Sequence, residues 1–330
     1  MVIGRRGLIL GAAALALPAL SGCRQSDGKV RIGFIVKQPE EQWFQNEWKF
    51  AGQAAHDRGF NLIRIGATDG DRVLTAIDNL AAKDAKGFVI CTPDPRLGTA
   101  IVERAKVNDL KVMSVDDRLI GPRGQPIASV PHVGISARAI GRMAGEEALG
   151  EARRRGWPIA ETGVLRLAYD SLETARERTF GAREALIAAG LPAANIVDAP
   201  QRTTDTEGGF TAASPVLIRK PELRHWIIVG LNDETVLGGV RAAEGLNLNA
   251  DSVIGVGIGG SGTADAEFRK AKPTGFYGSV LLSPRRHGYD TSSAMFDWIT
   301  KGVKPPAVTL TTGIMMTRTN FRQLLAAEAA

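Results

Sequence analysis

The chain has 330 residues, enough for two domains, and 44% of them are hydrophobic and 23% charged, as in ordinary globular proteins. Without residues 1–22, which carry two of the 41 Lys and Arg and none of the 35 acids, the net charge of +6 falls to +4. This balance, with no long basic block, excludes a nucleic-acid-binding footprint. The two cysteines exclude a disulfide framework and a zinc-site spacing.

The first 23 residues are predicted to be a signal peptide. Arg5-Arg6 precede an apolar run, Leu8 to Leu20, that is too short to span a bilayer comfortably. The run ends in Leu20-Ser21-Gly22-Cys23, which resembles a bacterial lipobox, so we expect Cys23 to carry lipid. The arginine pair fits a twin-arginine export signal or a plain Sec signal. An ordinary cleaved signal peptide with an incidental cysteine is the alternative.

Apolar strand-like runs alternate with amphipathic helical patterns after a short polar tether, residues 24–29. Strands are predicted at 30–36, 60–66, 87–91, 111–115, 163–168, 225–230 and 252–257, and helices at 39–58, 70–84, 95–108, 136–155, 173–189, 205–219, 232–245 and 283–301. This alternation predicts an α/β fold of two doubly wound parallel-sheet lobes. Three chain crossings are expected to join them, at the Gly/Pro-rich stretch 118–135, at the apolar passage Gly278–Leu282 and at a last strand-like run, Ala307–Thr317. The predicted lobes are 30–135 plus 282–310 and 136–278 plus 314–330.

Polar and aromatic side chains cluster where the first predicted strand ends. Lys37, Glu41, Trp43 and Phe44 follow the apolar run Val30 to Val36. Ligands of open α/β sheets bind at the carboxyl ends of strands. A cation, a carboxylate and two rings suit a small polar ligand with an apolar face, such as a sugar. The alternative is an ordinary helix start with core aromatics.

Three further strand ends repeat this layout. Asp116 and Asp117 end the fourth strand, and carboxylates accept strong hydrogen bonds from hydroxyls. Arg178, with five N–H donors, shares a helix face with Thr174. Asn232 starts a helix and can both donate and accept. Each has a structural alternative: backbone caps for the Asp pair and for Asn232, and a solvated charged helix face for Arg178.

Six segments together resemble the type I periplasmic sugar-binding proteins of ABC importers, and the arabinose-binding members in particular. They are Lys37–Phe50, Gly87–Pro95, Ser114–Asp117, Arg176–Gly181, His225–Gly239 and Thr274–Ser279. The resemblance runs from about Val30 to the C-terminus. It implies two lobes with a three-segment hinge that close on a monosaccharide, no enzymatic activity, no cofactor or metal, and an inner-membrane ABC permease as partner.

The resemblance also carries over individual residues. It implies that the polar sugar ligands are Lys37, Glu41, Asp116, Asp117, Arg178 and Asn232. It implies an aromatic floor formed by Trp43 and Phe44, and nearby wall positions at Cys91, Ile135, Thr174 and Leu231.

One segment departs from the family. Its members have Asn-Gly-x-Asp after the last of these strands, and both polar side chains contact the sugar, but Gly259 and Gly262 stand at those positions here. Buried partners lost from such a site change which hydroxyls are tolerated. The expected ligand is therefore arabinose or a related aldose, and Ser261, Thr263 and Asp265 are candidates to replace the missing groups.

Three other functions are alternatives to an importer component. The glycine-rich stretch reads G-x-G-x-x-G, as in NAD-dependent enzymes, but no acid lies near position 280 and no histidine-based catalytic set accompanies it. A sugar-responsive repressor would need a helix-turn-helix where the export signal lies. A sugar-presenting partner of a membrane chemoreceptor cannot be separated from an importer component by sequence. We predict a periplasmic, lipid-anchored, monomeric sugar-binding protein.

Overall fold

The structure is a computed structural model that describes residues 28–329. The predicted signal peptide, the lipobox with Cys23 and most of the predicted tether therefore lie outside the described residues. None of the helices within residues 28–329 is long and apolar enough to cross a membrane.

Twelve strands form the two sheets of the described chain. They are β1 (Arg31–Val36), β2 (Asn61–Gly66), β3 (Ala85–Ile90), β4 (Lys111–Val115), β5 (His132–Ile135), β6 (Thr162–Ala168), β7 (Ile196–Pro200), β8 (His225–Val229), β9 (Val253–Gly259), β10 (Phe276–Leu281), β11 (Val308–Thr311) and β12 (Ile314–Thr317).

Within residues 28–329, ten α-helices pack on these sheets. They are α1 (Gln42–Arg58), α2 (Gly70–Ala82), α3 (Gly98–Val107), α4 (Ala137–Arg154), α5 (Glu173–Ala188), α6 (Thr206–Arg219), α7 (Asp233–Glu244), α8 (Gly262–Arg269), α9 (Thr291–Lys301) and α10 (Phe321–Ala329). A π-helical turn, Arg286–Asp290, leads into α9.

The two sheets have the same strand order. The first runs β11-β5-β4-β3-β1-β2 and the second β12-β10-β9-β8-β6-β7. Neighbouring strands are parallel, except that β12 runs antiparallel to β10. In each sheet the order reverses beside its first strand, β1 or β6, and such a switch point opens a crevice at the carboxyl ends of the strands. The site is therefore expected at the ends of β1, β3 and β4 in one lobe and of β6, β8 and β9 in the other.

The chain passes between the sheets three times: after β5, between β10 and the π-helical turn, and between β11 and β12. The sheets are covered on both faces, which explains the continuous apolar strands. In the first lobe, Leu80 and Ile101 belong to the cluster on one face of the sheet, and Phe44 and Met295 to the cluster on the other.

The predicted fold class is confirmed, and several elements differ in detail. β5, β7, β10, α8 and α10 were not predicted as elements, because they are short and contain no long apolar run. The predicted strand-like run at 307–317 is two strands, one in each sheet. β10 extends to Leu281, past the predicted lobe boundary at 278. The lobe ranges themselves stay a prediction.

Candidate functional site

A cavity of about 1240 Å³ lies between the two lobes. It is lined by eleven of the twelve predicted ligand-contacting residues: Lys37, Glu41, Trp43, Phe44, Asp116, Asp117, Ile135, Thr174, Arg178, Leu231 and Asn232. The twelfth, Cys91, is buried behind the wall, with Sγ 3.8 Å from Asp117 Oδ2. The fold thus gathers at one cleft side chains that are up to 195 positions apart in the sequence.

Lys37 and Asp117 form an ion pair at the floor of the first lobe. Lys37 Nζ donates to Asp117 Oδ2 at 2.6 Å, and the two side chains are 17% and 7% exposed. Burial disfavours the ammonium, but the surrounding negative charge more than offsets this, so the pKa of Lys37 is raised. Burial also raises the pKa of the Cys91 thiol, which is therefore neutral at pH 7 and leaves Asp117 as the counter-ion.

Asp116 is held in a strained backbone conformation that aims its carboxylate at two donors. Its φ is +60°, a left-handed value that Asp tolerates better than most residues. Its carboxylate accepts from Trp43 Nε1 at 3.3 Å and lies 2.7 Å from His287 Nδ1. Burial would raise the pKa of Asp116, but these partners hold it below the usual range.

Next to this carboxylate lies a buried pair, Glu47 and His287, that sequence reasoning missed. Both oxygens of Glu47 are buried without a hydrogen-bond partner among residues 28–329, and Oε1 lies 3.7 Å from His287 Nδ1. Burial, and then the charge of Asp116, raise the pKa of Glu47, which favours the protonated acid. One signal could have found Glu47, though not its partner: it shares an apolar helix face with Phe44 and Ala51.

The ligand atoms of Glu47, Asp116 and His287 lie within 4.8 Å of one another, so this group could hold a metal ion. The 2.7 Å separation of Asp116 and His287 is that of a hydrogen bond, and His287 Nε2 lies 2.9 Å from Thr311 Oγ1. The arrangement therefore suits a hydrogen bond that orients Asp116 better than it suits a bound ion.

From the second lobe, Arg178 projects into the cavity beside Thr174. Arg178 Nη1 donates to the Leu231 carbonyl at 2.6 Å, while Nε is buried with no partner in the described part of the chain. Thr174 Oγ1 reaches across the cleft to Asp117 Oδ1 at 3.4 Å. Burial lowers the pKa of Arg178, although a guanidinium remains charged at neutral pH. A buried cation with a spare N–H can donate to a ligand oxygen.

Asn232 caps a helix, which was the structural alternative to a ligand-binding role, and it also lines the cavity. Its Oδ1 accepts from Thr235 N at 2.9 Å and so caps α7. Its Nδ2 donates to the Thr204 carbonyl at 2.8 Å. One amide hydrogen remains for a ligand.

The glycine-rich stretch does not form a dinucleotide-binding loop. Gly255 and Gly257 lie inside β9, where a Cβ on Gly257 would come within 2.3 Å of Asp233 Oδ1. The turn comes later, at Gly259 and Gly260, with φ of +136° and +70°. A phosphate-binding motif needs its glycines in the turn between strand and helix, so the pattern here serves close packing.

Of the three candidates to replace the missing family residues, Ser261 lines the cavity and Thr263 and Asp265 do not. Asp265 pairs instead with Arg269 on α8. Sequence reasoning also missed Glu234, a cavity-lining acid whose Oε1 accepts from Ser261 Oγ at 2.7 Å. Its position two residues after Asn232, at a helix start that faces the site, is the signal that could have found it.

Comparison with known proteins agrees with this geometry. Residues 29–323 match the family model described as periplasmic binding proteins and sugar binding domain of LacI family. The chain is 48% identical over 318 residues to the "ABC transporter L-arabinose-binding periplasmic protein" of Azospirillum brasilense, covering 96% of this chain and 95% of the relative. It is also 48% identical over 314 residues to the "L-arabinose-binding periplasmic protein" of Escherichia coli K12, covering 95% of each.

Solved structures share the fold at lower identity. A periplasmic solute-binding protein from Actinobacillus succinogenes with bound D-allose matches with a TM-score of 0.75 and 18% identity, over 89% of this chain and 100% of that one. The sequence relatives are periplasmic binding proteins rather than enzymes, which confirms the predicted class and indicates a periplasmic location. The chain belongs to the family of periplasmic binding proteins and LacI-type sugar-binding domains.

Proposed function

We propose that this protein is the sugar-capturing component of an ABC importer and binds L-arabinose or a related aldose between its lobes. The observation that carries the proposal is the convergence of Lys37 and Asp117 with Thr174 and Arg178 across one cleft, with Thr174 Oγ1 3.4 Å from Asp117 Oδ1. The names of the two 48% identical relatives favour a pentose, and that of the Azospirillum brasilense relative favours an importer over a chemoreceptor-only role.

Sugar binding follows from the chemistry of this lining. The carboxylates Asp116 and Asp117 accept hydrogen bonds from hydroxyls, while Lys37, Arg178 and Asn232 donate to hydroxyl and ring oxygens. Trp43 and Phe44 supply apolar surface for the C–H face of the ring. Because these groups come from both lobes, a bound sugar favours the closed form.

The test is a thermal-shift screen of the mature protein against a panel of pentoses and hexoses that includes L-arabinose and D-galactose. A sugar present at a hundred times its Kd stabilises the folded state by about 2.7 kcal/mol, which raises the melting temperature of a chain of this size by roughly 4–5 °C. A sugar that raises the melting temperature should also give a calorimetric binding isotherm. If no member of the panel shifts the transition, the proposed function is wrong.

We further propose that the mature protein is a monomer anchored by lipid on Cys23. One copy of the chain forms both walls of the cleft, so we assign sugar capture to the single chain. The lipobox-like tetrapeptide supports the anchor. Mass spectrometry of protein from membranes should find acyl chains on an N-terminal Cys23, and light scattering should give the monomer mass. An unmodified N-terminus elsewhere would overturn the anchor.

A further inference from the structure

The wall of the second lobe contains a carboxylate that the predicted ligand set lacks. Glu234 and Ser261 both line the cavity. Ser261 Oγ donates to Glu234 Oε1 at 2.7 Å and accepts from Thr263 N at 3.2 Å. This short chain of hydrogen bonds fixes one carboxylate oxygen and leaves Oε2 without a hydrogen-bond partner in the described part of the protein. A fixed carboxylate oxygen at a cavity wall is a ready acceptor for ligand hydroxyls.

The neighbouring turn leaves room in front of this carboxylate. Gly259 and Gly260 line the cavity with backbone alone, so no side chain of theirs covers Glu234. A Cβ at Gly260 would come within 2.2 Å of Leu281 Cδ1, so close packing against Leu281 keeps this position a glycine. Ser261 is thus the cavity-lining side chain of the turn, and it is already committed to Glu234.

A second carboxylate, that of Glu41, lines the cavity from the other lobe. Burial raises the pKa of Glu41; the charge of Lys37 opposes this, and the charge of Glu234 adds to it. Glu41 and Glu234 thus place carboxylates on both walls of one cavity. Like charges that face a shared cavity repel an anionic ligand group and accept hydrogen bonds from neutral hydroxyls.

We propose that Glu234, positioned by Ser261, binds hydroxyl groups of a neutral sugar and, together with Glu41, excludes acidic sugars such as uronates. This proposal rests on the proposed function and adds that the bound sugar is uncharged. It adds a ligand-binding side chain to the set that the sequence predicts.

Calorimetry on three forms of the mature protein tests it: the wild type, Glu234→Gln and the control Glu244→Gln. Glu244 lies on the same helix, pairs with Arg241 and does not line the cavity. The titrants are the neutral sugar that binds best in the screen, and D-galacturonate, an aldose with a carboxylate at C6. We expect Glu234→Gln to weaken binding of the neutral sugar at least roughly tenfold, because a charged acceptor is lost. Glu244→Gln should stay within about twofold of wild type.

Wild-type protein should bind D-galacturonate at least roughly a hundredfold more weakly than the neutral sugar, since like-charge contacts cost several kcal/mol. The proposal is overturned if Glu234→Gln binds the neutral sugar as wild type does, or if wild type binds the two sugars equally. Should Glu234→Gln not fold, Ser261→Ala replaces it, with an expected loss of about threefold and an unchanged affinity overturning the proposal. If wild type binds no sugar of the panel, it is the proposed function that fails.

Discussion

At the residue scale, Arg178 is the single side chain on which the binding proposal depends most. It is a buried cation whose Nε has no partner within residues 28–329, so a ligand oxygen would complete its hydrogen bonding. We expect Arg178→Ala to weaken sugar binding at least roughly tenfold, because a charged hydrogen bond is lost from a closed site. Arg183→Ala, on the same helix but away from the cavity, serves as the control. Equal affinities of the two variants in calorimetry would contradict a ligand role for Arg178.

His132 gives a second prediction at this scale, on stability rather than binding. It is buried with Nδ1 3.0 Å from Ser114 Oγ, and burial, aided by the charge of Arg118, lowers its pKa to about 4. Between pH 6.5 and 4 the unfolded chain takes up a proton that the folded protein does not, so stability falls as the pH falls. The shift corresponds to about 3 kcal/mol over this window.

The substitution His132→Gln should remove this contribution. The free energy of unfolding in urea is measured for both proteins at pH 7 and pH 4.5. Wild type should lose about 2 kcal/mol more than the variant between the two pH values. Burial raises the pKa of Asp233 to about 6, so its contribution to stability rises as the pH falls, opposite to that of His132. Asp233 contributes equally in both proteins, so the difference between them isolates the effect of His132. Parallel pH profiles would show that His132 titrates normally.

At the scale of elements, the closest helix–helix contact positions the helix that carries Arg178. A Cβ on Gly141 of α4 would lie 1.7 Å from the Arg178 carbonyl oxygen on α5, and one on Gly181 of α5 would lie 2.1 Å from the Arg138 carbonyl oxygen on α4. Larger side chains there would push the helices apart. The two glycines therefore hold Thr174 and Arg178 at the cleft through backbone contact.

This contact predicts opposite effects for two substitutions in the same helix. Gly141→Ala should destabilise the protein by about 1–3 kcal/mol or more, because a backbone atom cannot move aside easily. Gly150→Ala should stabilise it by about 0.5–1 kcal/mol, since its Cβ would meet no atom closer than 3.4 Å and alanine favours a helix. Unfolding midpoints in urea distinguish them. Similar midpoints for the two variants would mean that α4 shifts freely against α5.

Elements and site residues were predicted best from the sequence where one short segment contains both the apolar run of a strand and the polar residues that follow it. Long apolar runs such as β1 and β8 identified the sheets, and polar residues directly after them identified Lys37, Asp117 and Asn232. The four-residue strands β5, β11 and β12 owe their structure to neighbours in the sheets rather than to their own pattern. No local sequence pattern could predict the contact between Glu47 and His287, because it depends on how α1 packs against the π-helical turn.

At the scale of the whole molecule, the two lobes meet closely enough to define a closed form. Trp43 of the first lobe packs against the apolar cluster of the second, and Thr174 reaches Asp117 across the cleft. Without ligand, this closure leaves Arg178 Nε buried and without a hydrogen-bond partner within residues 28–329, which costs free energy. Separation of the lobes would give water access to this side of the cleft. The empty protein should therefore favour an open form, and sugar should shift the population toward the closed one.

Small-angle scattering of the mature protein measures this shift. A compact chain of this length has a radius of gyration of about 19 Å, which the sugar-bound protein should approach, while the empty protein should be larger. The decrease should follow the calorimetric binding curve, because both report occupancy of one site. Asp117→Asn, which removes the negative charge that pairs with Lys37 and replaces one acceptor oxygen by an NH2 donor, should weaken both responses together. A radius that stays constant while sugar binds would mean that ligand enters a cleft that is already closed, and the three hinge segments would then have no part in capture.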